Sequence, residues 1–113
     1  MAANDKPILI YATFPVAKVA EMVGEVLVDQ GLVACVNILP GAVSIYIWEG
    51  KRQRDAEVVL IAKSRRQHLD AIVRAVKAHH PHSNPAVVAL DIAGGSTDFL
   101  RWMIDQTAER KLS

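Results

Sequence analysis

The sequence has a single cysteine, Cys35, among its 113 residues. One thiol forms no internal disulfide, so the fold is not a cross-linked framework, and a reducing compartment is expected. Charge of one sign is also lacking: 13 Lys and Arg stand against 12 Asp and Glu, a formal net charge of +1. Without a long-range field of one sign, neither nucleic acid nor an anionic membrane surface is an expected partner. No apolar run approaches the roughly 18 residues of a membrane span. The stretch Met1 to Lys6 is short and polar, without the apolar segment of a secretory signal, and the expected location is the cytoplasm. Long linkers, repeats and low-complexity tracts are missing too. With 51% of its residues hydrophobic, the chain reads as a single domain, 1–113, with its core at about 8–108.

What is present is a clear succession of periodic segments. Pro7 to Thr13 contains Ile8, Leu9, Ile10 and Tyr11 in a row and breaks at Pro15, the pattern of a strand buried on both faces. Val16, Val19, Ala20, Val23, Val26 and Leu27 then recur at three- and four-residue steps, which predicts an amphipathic helix stopped at Gly31. Leu32 to Leu39 is mostly apolar and runs into Pro40-Gly41, beyond which Val43, Ile45 and Ile47 alternate with Ser44, Tyr46 and Trp48. This reads as one long strand kinked at Pro40-Gly41. Glu49-Gly50-Lys51 is the expected hairpin turn into a third strand around Val58 to Ile61. Leu69, Ile72, Val73 and Val76 trace a second helix, which ends before His80-Pro81 because the residue preceding proline disfavours helical geometry. A fourth strand, Val87 to Ile92, and a last helix with Phe99, Leu100, Met103 and Ile104 on one face complete the chain, with N-cap candidates in Ser96-Thr97-Asp98.

The order predicts an α+β fold, the ferredoxin-like βαββαβ sandwich with an extra C-terminal helix. Its antiparallel sheet carries helices on one face and leaves the other open. Yet the strands are apolar at consecutive positions, and each buried Ile or Leu is worth roughly 1.5–3 kcal/mol. Another copy of the chain is the simplest cover, so a homo-oligomer is expected.

Few residues suggest chemistry. Cys35 lies between Ala34 and Val36 in an apolar strand and reads as a small buried hydrophobe; as a nucleophile it would need a nearby base or positive helix end, which the sequence alone does not place there. His79, His80 and His82 cluster at the end of the second helix, where imidazoles serve copper, zinc or nickel but also simply suit a helix C-terminus. Adjacent histidines on a helix point about 100° apart, unlike a helical zinc pair at four-residue spacing. Gly94-Gly95 lacks the remainder of a phosphate loop. The basic residues Lys51, Arg52 and Arg54, and Lys63, Arg65 and Arg66, read as solvated charges. The third strand has no aromatic residue for stacking RNA bases. No serine, histidine and acid set or carboxylate pair can be assembled, so no enzymatic activity is expected.

Taken together, Thr13-Phe14-Pro15, the block Ala34-Cys35-Val36-Asn37-Ile38-Leu39-Pro40-Gly41, Ser44-Ile45-Tyr46-Ile47-Trp48, Gly50, Glu57, Lys63, His80-Pro81 with Pro85, and Gly95 with Leu100 and Trp102 resemble the CutA divalent-cation-tolerance family. The resemblance runs from about Ile8 to Ile104. It implies a compact homotrimer with the architecture of PII signalling proteins. It also implies a link to copper(II) or another divalent cation, with Cys35 and His80 as the family's candidate ligands. The family's motif His-Pro-Tyr-Glu-x-Pro-Glu is altered here: His82, Ser83 and Ala86 stand where a tyrosine and two glutamates are expected. An ion relying on those carboxylates binds more weakly, unless His82 supplies a replacement nitrogen. The metal-site expectation is therefore Cys35, His80 and His82. The PII likeness gives an alternative: a trimeric signalling protein whose inter-subunit clefts, lined by Tyr46, Trp48 and Lys63, hold a small anionic ligand or receive a partner. Large aromatics dominate buried interfaces, so Tyr46 and Trp48 are read first as trimer core.

Overall fold

Ile8, Ile10, Ala12 and Phe14 of the first strand (β1, Pro7–Phe14) are buried, while Leu9, Tyr11 and Thr13 between them are partly or largely exposed. This period of two comes from a computed structural model that describes residues 5–108. Residues 1–4 of the polar N-terminal stretch, and the end of the 1–113 span beyond residue 108, lie outside it. Burial of β1 on both faces was the sequence expectation. The second face is instead half open, because nothing among the described residues covers it fully.

The third strand (β3, Lys51–Arg65) lies between β1 and the second (β2, Cys35–Trp48), and the fourth (β4, Val87–Asp91) pairs with the far edge of β1. All pairings are antiparallel, in the order β2-β3-β1-β4. The helices α1 (Ala17–Asp29) and α2 (Leu69–His79) cover one face, where Val23, Leu27, Ile72 and Val76 pack with Ile10, Leu60 and Ala62. This is the α+β architecture anticipated from the order of elements. On the open face, Tyr11, Leu39, Val88 and Leu90 are 39–55% exposed.

The last helix (α3, Thr97–Gln106) is capped at its start by the Ser96 hydroxyl, which accepts the Phe99 N–H at 3.4 Å. Its other end is fastened by Arg65. That buried guanidinium donates to the Thr107 hydroxyl at 3.1 Å, to the Asp5 carboxylate at 2.8 Å and to the Ile104 carbonyl, so a cation meets the negative end of the helix.

Two features of β2 and β3 position the site. Glu49 (φ 50°) and Gly50 (φ 78°) form a two-residue turn with both residues left-handed, the geometry that matches strand twist. Between Leu39 and Ala42 the register shifts by one. Before the shift Cys35, Asn37 and Leu39 sit opposite Lys63, Ile61 and Val59; after it Ala42, Ser44 and Tyr46 sit opposite Glu57, Asp55 and Gln53. Odd-numbered residues of β2 share the open face first, and even-numbered ones afterwards. The third strand reaches well beyond the expected Val58 to Ile61, because Lys51–Glu57 is polar on both faces of a projecting hairpin and shows no apolar alternation.

Gly24 lets α1 settle onto the sheet: a Cβ there meets Cγ2 of Val36 at 2.9 Å. Gly24→Ala gains about 1 kcal/mol in helix propensity but overpacks against a stiff β-branched side chain, at about 1–3 kcal/mol. The expected net effect is a loss of about 1 kcal/mol in urea unfolding; a stabilised variant would mean that the helix shifts freely. Glu49→Asn should move the other way, by up to about 1 kcal/mol, since asparagine tolerates the left-handed region better. An unchanged or lower midpoint would refute that account of the turn.

Candidate functional site

The end of β1 is where the site begins. Because His80 precedes Pro81 it is extended (φ −85°, ψ 138°), and α2 stops at His79. The chain thereby turns the His80 ring back over β1. The ring stacks on Phe14 with centroids 4.9 Å apart, and its Nε2 lies 2.8 Å from the Thr13 carbonyl. A carbonyl only accepts, so Nε2 carries the proton and donates. Nδ1 then has a lone pair, and it accepts the His82 backbone N–H at 3.0 Å. Both nitrogens of His80 are thus committed to the backbone. The His82 ring, 5.2 Å from that of His80, makes no hydrogen bond among the described residues.

Between this loop and the β2–β3 hairpin lies a cleft of about 740 Å³. Thr13 and Pro15 form its base, His80, His82, Ser83, Asn84 and Ala86 one wall, and Tyr46, Trp48, Asp55, Ala56 and Glu57 the other. The Tyr46 hydroxyl donates to the Asp55 carboxylate. That bond, followed by partial burial and the charges of Asp55 and Glu57, holds the Tyr46 pKa above the ordinary tyrosine value of 10.0. Glu57 has no hydrogen-bond or ion-pair partner among the described residues.

The residues singled out from sequence therefore separate. His80, His82, Tyr46 and Trp48 meet at one cleft; Cys35 and Lys63 do not line it. Cys35, half-buried, faces Lys63 across the β2–β3 pair, and the Lys63 ammonium donates to the Asn37 side chain. Thr13 connects through Val59 to Leu39, and Cys35 lies four residues before Leu39. Two strand spacings across and four residues along put it roughly 16 Å from the anchor of His80. His79 bonds its own helix at the Ala75 carbonyl, 3.0 Å away. Asp55 escaped the sequence reading, and Glu57 appeared there without a role. Only their register opposite Ser44 and Ala42 reveals that two carboxylates face the loop that carries Ser83 and Ala86.

These donors do not make a preassembled metal centre. No three His, Cys, Asp or Glu side chains among the described residues are grouped to hold an ion, and His80 has no free lone pair. What the cleft offers is one free imidazole, one unpaired carboxylate and two aromatic rings.

A ferredoxin-like α+β subunit with a long β2–β3 arm and a cleft at its base defines the class of protein. Residues 8–106 match the family described as CutA1 divalent ion tolerance protein. The chain belongs to that family. It is 43% identical over 102 residues to "Protein CutA 1, chloroplastic" of Oryza sativa subsp. japonica, covering 90% of this chain and 58% of that protein. It thus spans little more than half the length of that relative. Against "Divalent-cation tolerance protein CutA" of Pectobacterium atrosepticum it is 36% identical over 104 residues, with 88% and 94% of the two chains covered. The crystal structure of CutA1 from Oryza sativa superposes with a TM-score of 0.90 at 40% identity, covering 96% of this chain and all of that one.

The Tyr46–Asp55 pair has a pH signature. A folded pKa above the unfolded one favours the neutral hydroxyl, so its contribution to stability is complete below pH 10.0 and is lost as pH rises through the folded value. Tyr11→Phe leaves Tyr46 as the sole tyrosine. In that background, ultraviolet titration should place its ionisation above 10.0, and Asp55→Asn should return it toward that value. No response to Asp55→Asn would remove the pair as the cause.

Proposed function

We propose that this chain acts in divalent-cation tolerance as a non-enzymatic, cytoplasmic homotrimer that binds copper(II) or a related divalent ion weakly. Family membership supports the tolerance role. The trimer rests on the open sheet face: Tyr11, Leu39, Val88 and Leu90 lie together in water, and each such side chain gains roughly 1.5–3 kcal/mol when fully covered. For location, no helix among the described residues is long and apolar enough to cross a membrane. The balanced charge gives no reason to place the chain on an anionic surface or on nucleic acid.

The observation that carries the metal reading is the free His82 imidazole on the wall facing the unpaired Glu57. Of the ligand set Cys35, His80 and His82, this assigns metal contact to His82, joined by Glu57. His80 becomes the residue that holds His82 in place, and Cys35 lies outside the site. Two protein donors with water completing the shell account for weak rather than tight binding.

Native mass spectrometry before and after adding copper(II) tests oligomer and metal together. The expected result is a trimer whose copper affinity falls about tenfold or more in His82→Ala and is unchanged in Cys35→Ser. A monomer overturns the assembly. Copper retained by His82→Ala, or lost in Cys35→Ser, overturns the metal assignment.

A further inference from the structure

The last helix is placed on the sheet unlike the other two. Ile61, Lys63 and Arg65 pair with Tyr11, Leu9 and Pro7, so these odd-numbered positions of β3 face away from α1 and α2, on the open face. Ile61 and Lys63 are half-buried there, yet Arg65 is only 7% exposed. What covers it is α3, which packs on β3 and β1 and ends over the rung where Pro7 meets Arg65. The helix therefore lies across one end of the open face, outside the layer that α1 and α2 form.

Apolar burial anchors α3 weakly. Of its ten residues only Met103 is buried, whereas α1 buries Ala20, Val23 and Leu27. A helix of that length is marginal in water by itself. Polar bonds at its C-terminal end do the fastening: Arg65 donates to the Thr107 hydroxyl and the Ile104 carbonyl, and Nε2 of His68 donates to the Thr107 carbonyl at 2.6 Å. Both side chains come from the short junction between β3 and α2. The other end of α3 is joined to β4 through Gly94-Gly95, which is exposed and belongs to neither helix nor strand. A Cβ at Gly94 meets nothing within 4 Å, so no packing restrains the backbone there.

We propose that α3 is a hinged strap over the end of the open face, turning about Gly94-Gly95 and latched by Arg65. Opened, it uncovers the surface around Arg65 and leaves that guanidinium without two of its acceptors. Closed, it sets the limit of the face that is offered to other copies of the chain. That last role rests on the trimer reading; the strap and its latch do not, because every bond of Arg65 is made within one subunit and is already buried there.

Hydrogen exchange followed by mass spectrometry, on the protein as purified, tests this. Amides of residues 97–107 are expected to exchange at least about tenfold faster than those of α2, because the strap opens without unfolding the core. Arg65→Met should speed them by about a further tenfold while α1 and α2 keep their rates, since hydrogen bonds from a charged group are lost at one end only. Gly94→Ala should slow them about two- to fivefold by restricting the opened chain, and it tests the hinge even if Arg65→Met fails to fold. Met103 reports the uncovering directly: its thioether takes one oxygen from hydrogen peroxide, and that oxidation should quicken in Arg65→Met, with the exposed Met22 as an unchanged reference. The strap is overturned if residues 97–107 exchange no faster than α2, or if Gly94→Ala leaves their rate unaltered. Arg65 is overturned as its latch if Arg65→Met speeds α1 and α2 equally, or if Met103 oxidises in it no faster than in the parent.

Discussion

The antiparallel pairing of β2 with β3 is the interaction on which the site depends. A two-residue left-handed turn at Glu49-Gly50 sets one end of the register, and the shift at Pro40-Gly41 adjusts it before the hairpin joins the sheet. Between those points the hairpin projects as a two-stranded arm with no helix behind it. Its residues gain little from the core, so its geometry is held chiefly by ladder hydrogen bonds and by cross-strand contacts such as Tyr46 with Asp55. The wall of the cleft is therefore made of backbone pairing, while its base is made of the buried sheet.

The opposite wall depends on proline chemistry. Pro81 forbids α2 from continuing, and the extended His80 spends both of its nitrogens tying the new direction of the chain to β1 and to His82. Residue type alone marks His80 and His82 as equivalent imidazoles. Their hydrogen bonds make them unlike: one works as a strut, and the ring of the other makes no hydrogen bond among the described residues.

Most of the fold was legible because its apolar residues are periodic. The stripe from Val16 to Leu27 and the glycine at 31 give α1, and the Pro81 rule gives the end of α2. The half of β3 between Lys51 and Glu57 was not legible, since an arm exposed on both faces imposes no alternation on its sequence. The same stretch hides the carboxylates of the cleft. Asp55 and Glu57 look like ordinary solvated charges until pairing with Ser44 and Ala42 shows which way they face. Within one chain Lys63 shares the sheet face with the cleft but lies several rungs along the strand from Tyr46 and Trp48, a distance that sequence does not display.

The register shift at Pro40-Gly41 has a wider meaning for how this surface is encoded. The extra residue there changes parity: with it, Cys35, Asn37 and Leu39 share one face of the strand with Ala42, Ser44 and Tyr46. The turn at Glu49-Gly50 by itself fixes Ser44 opposite Asp55 and Ala42 opposite Glu57, so removing one residue at the shift would close the bulge and leave those pairs in place. The arm thus carries the instructions for its own two faces, and the sheet below it carries separate ones.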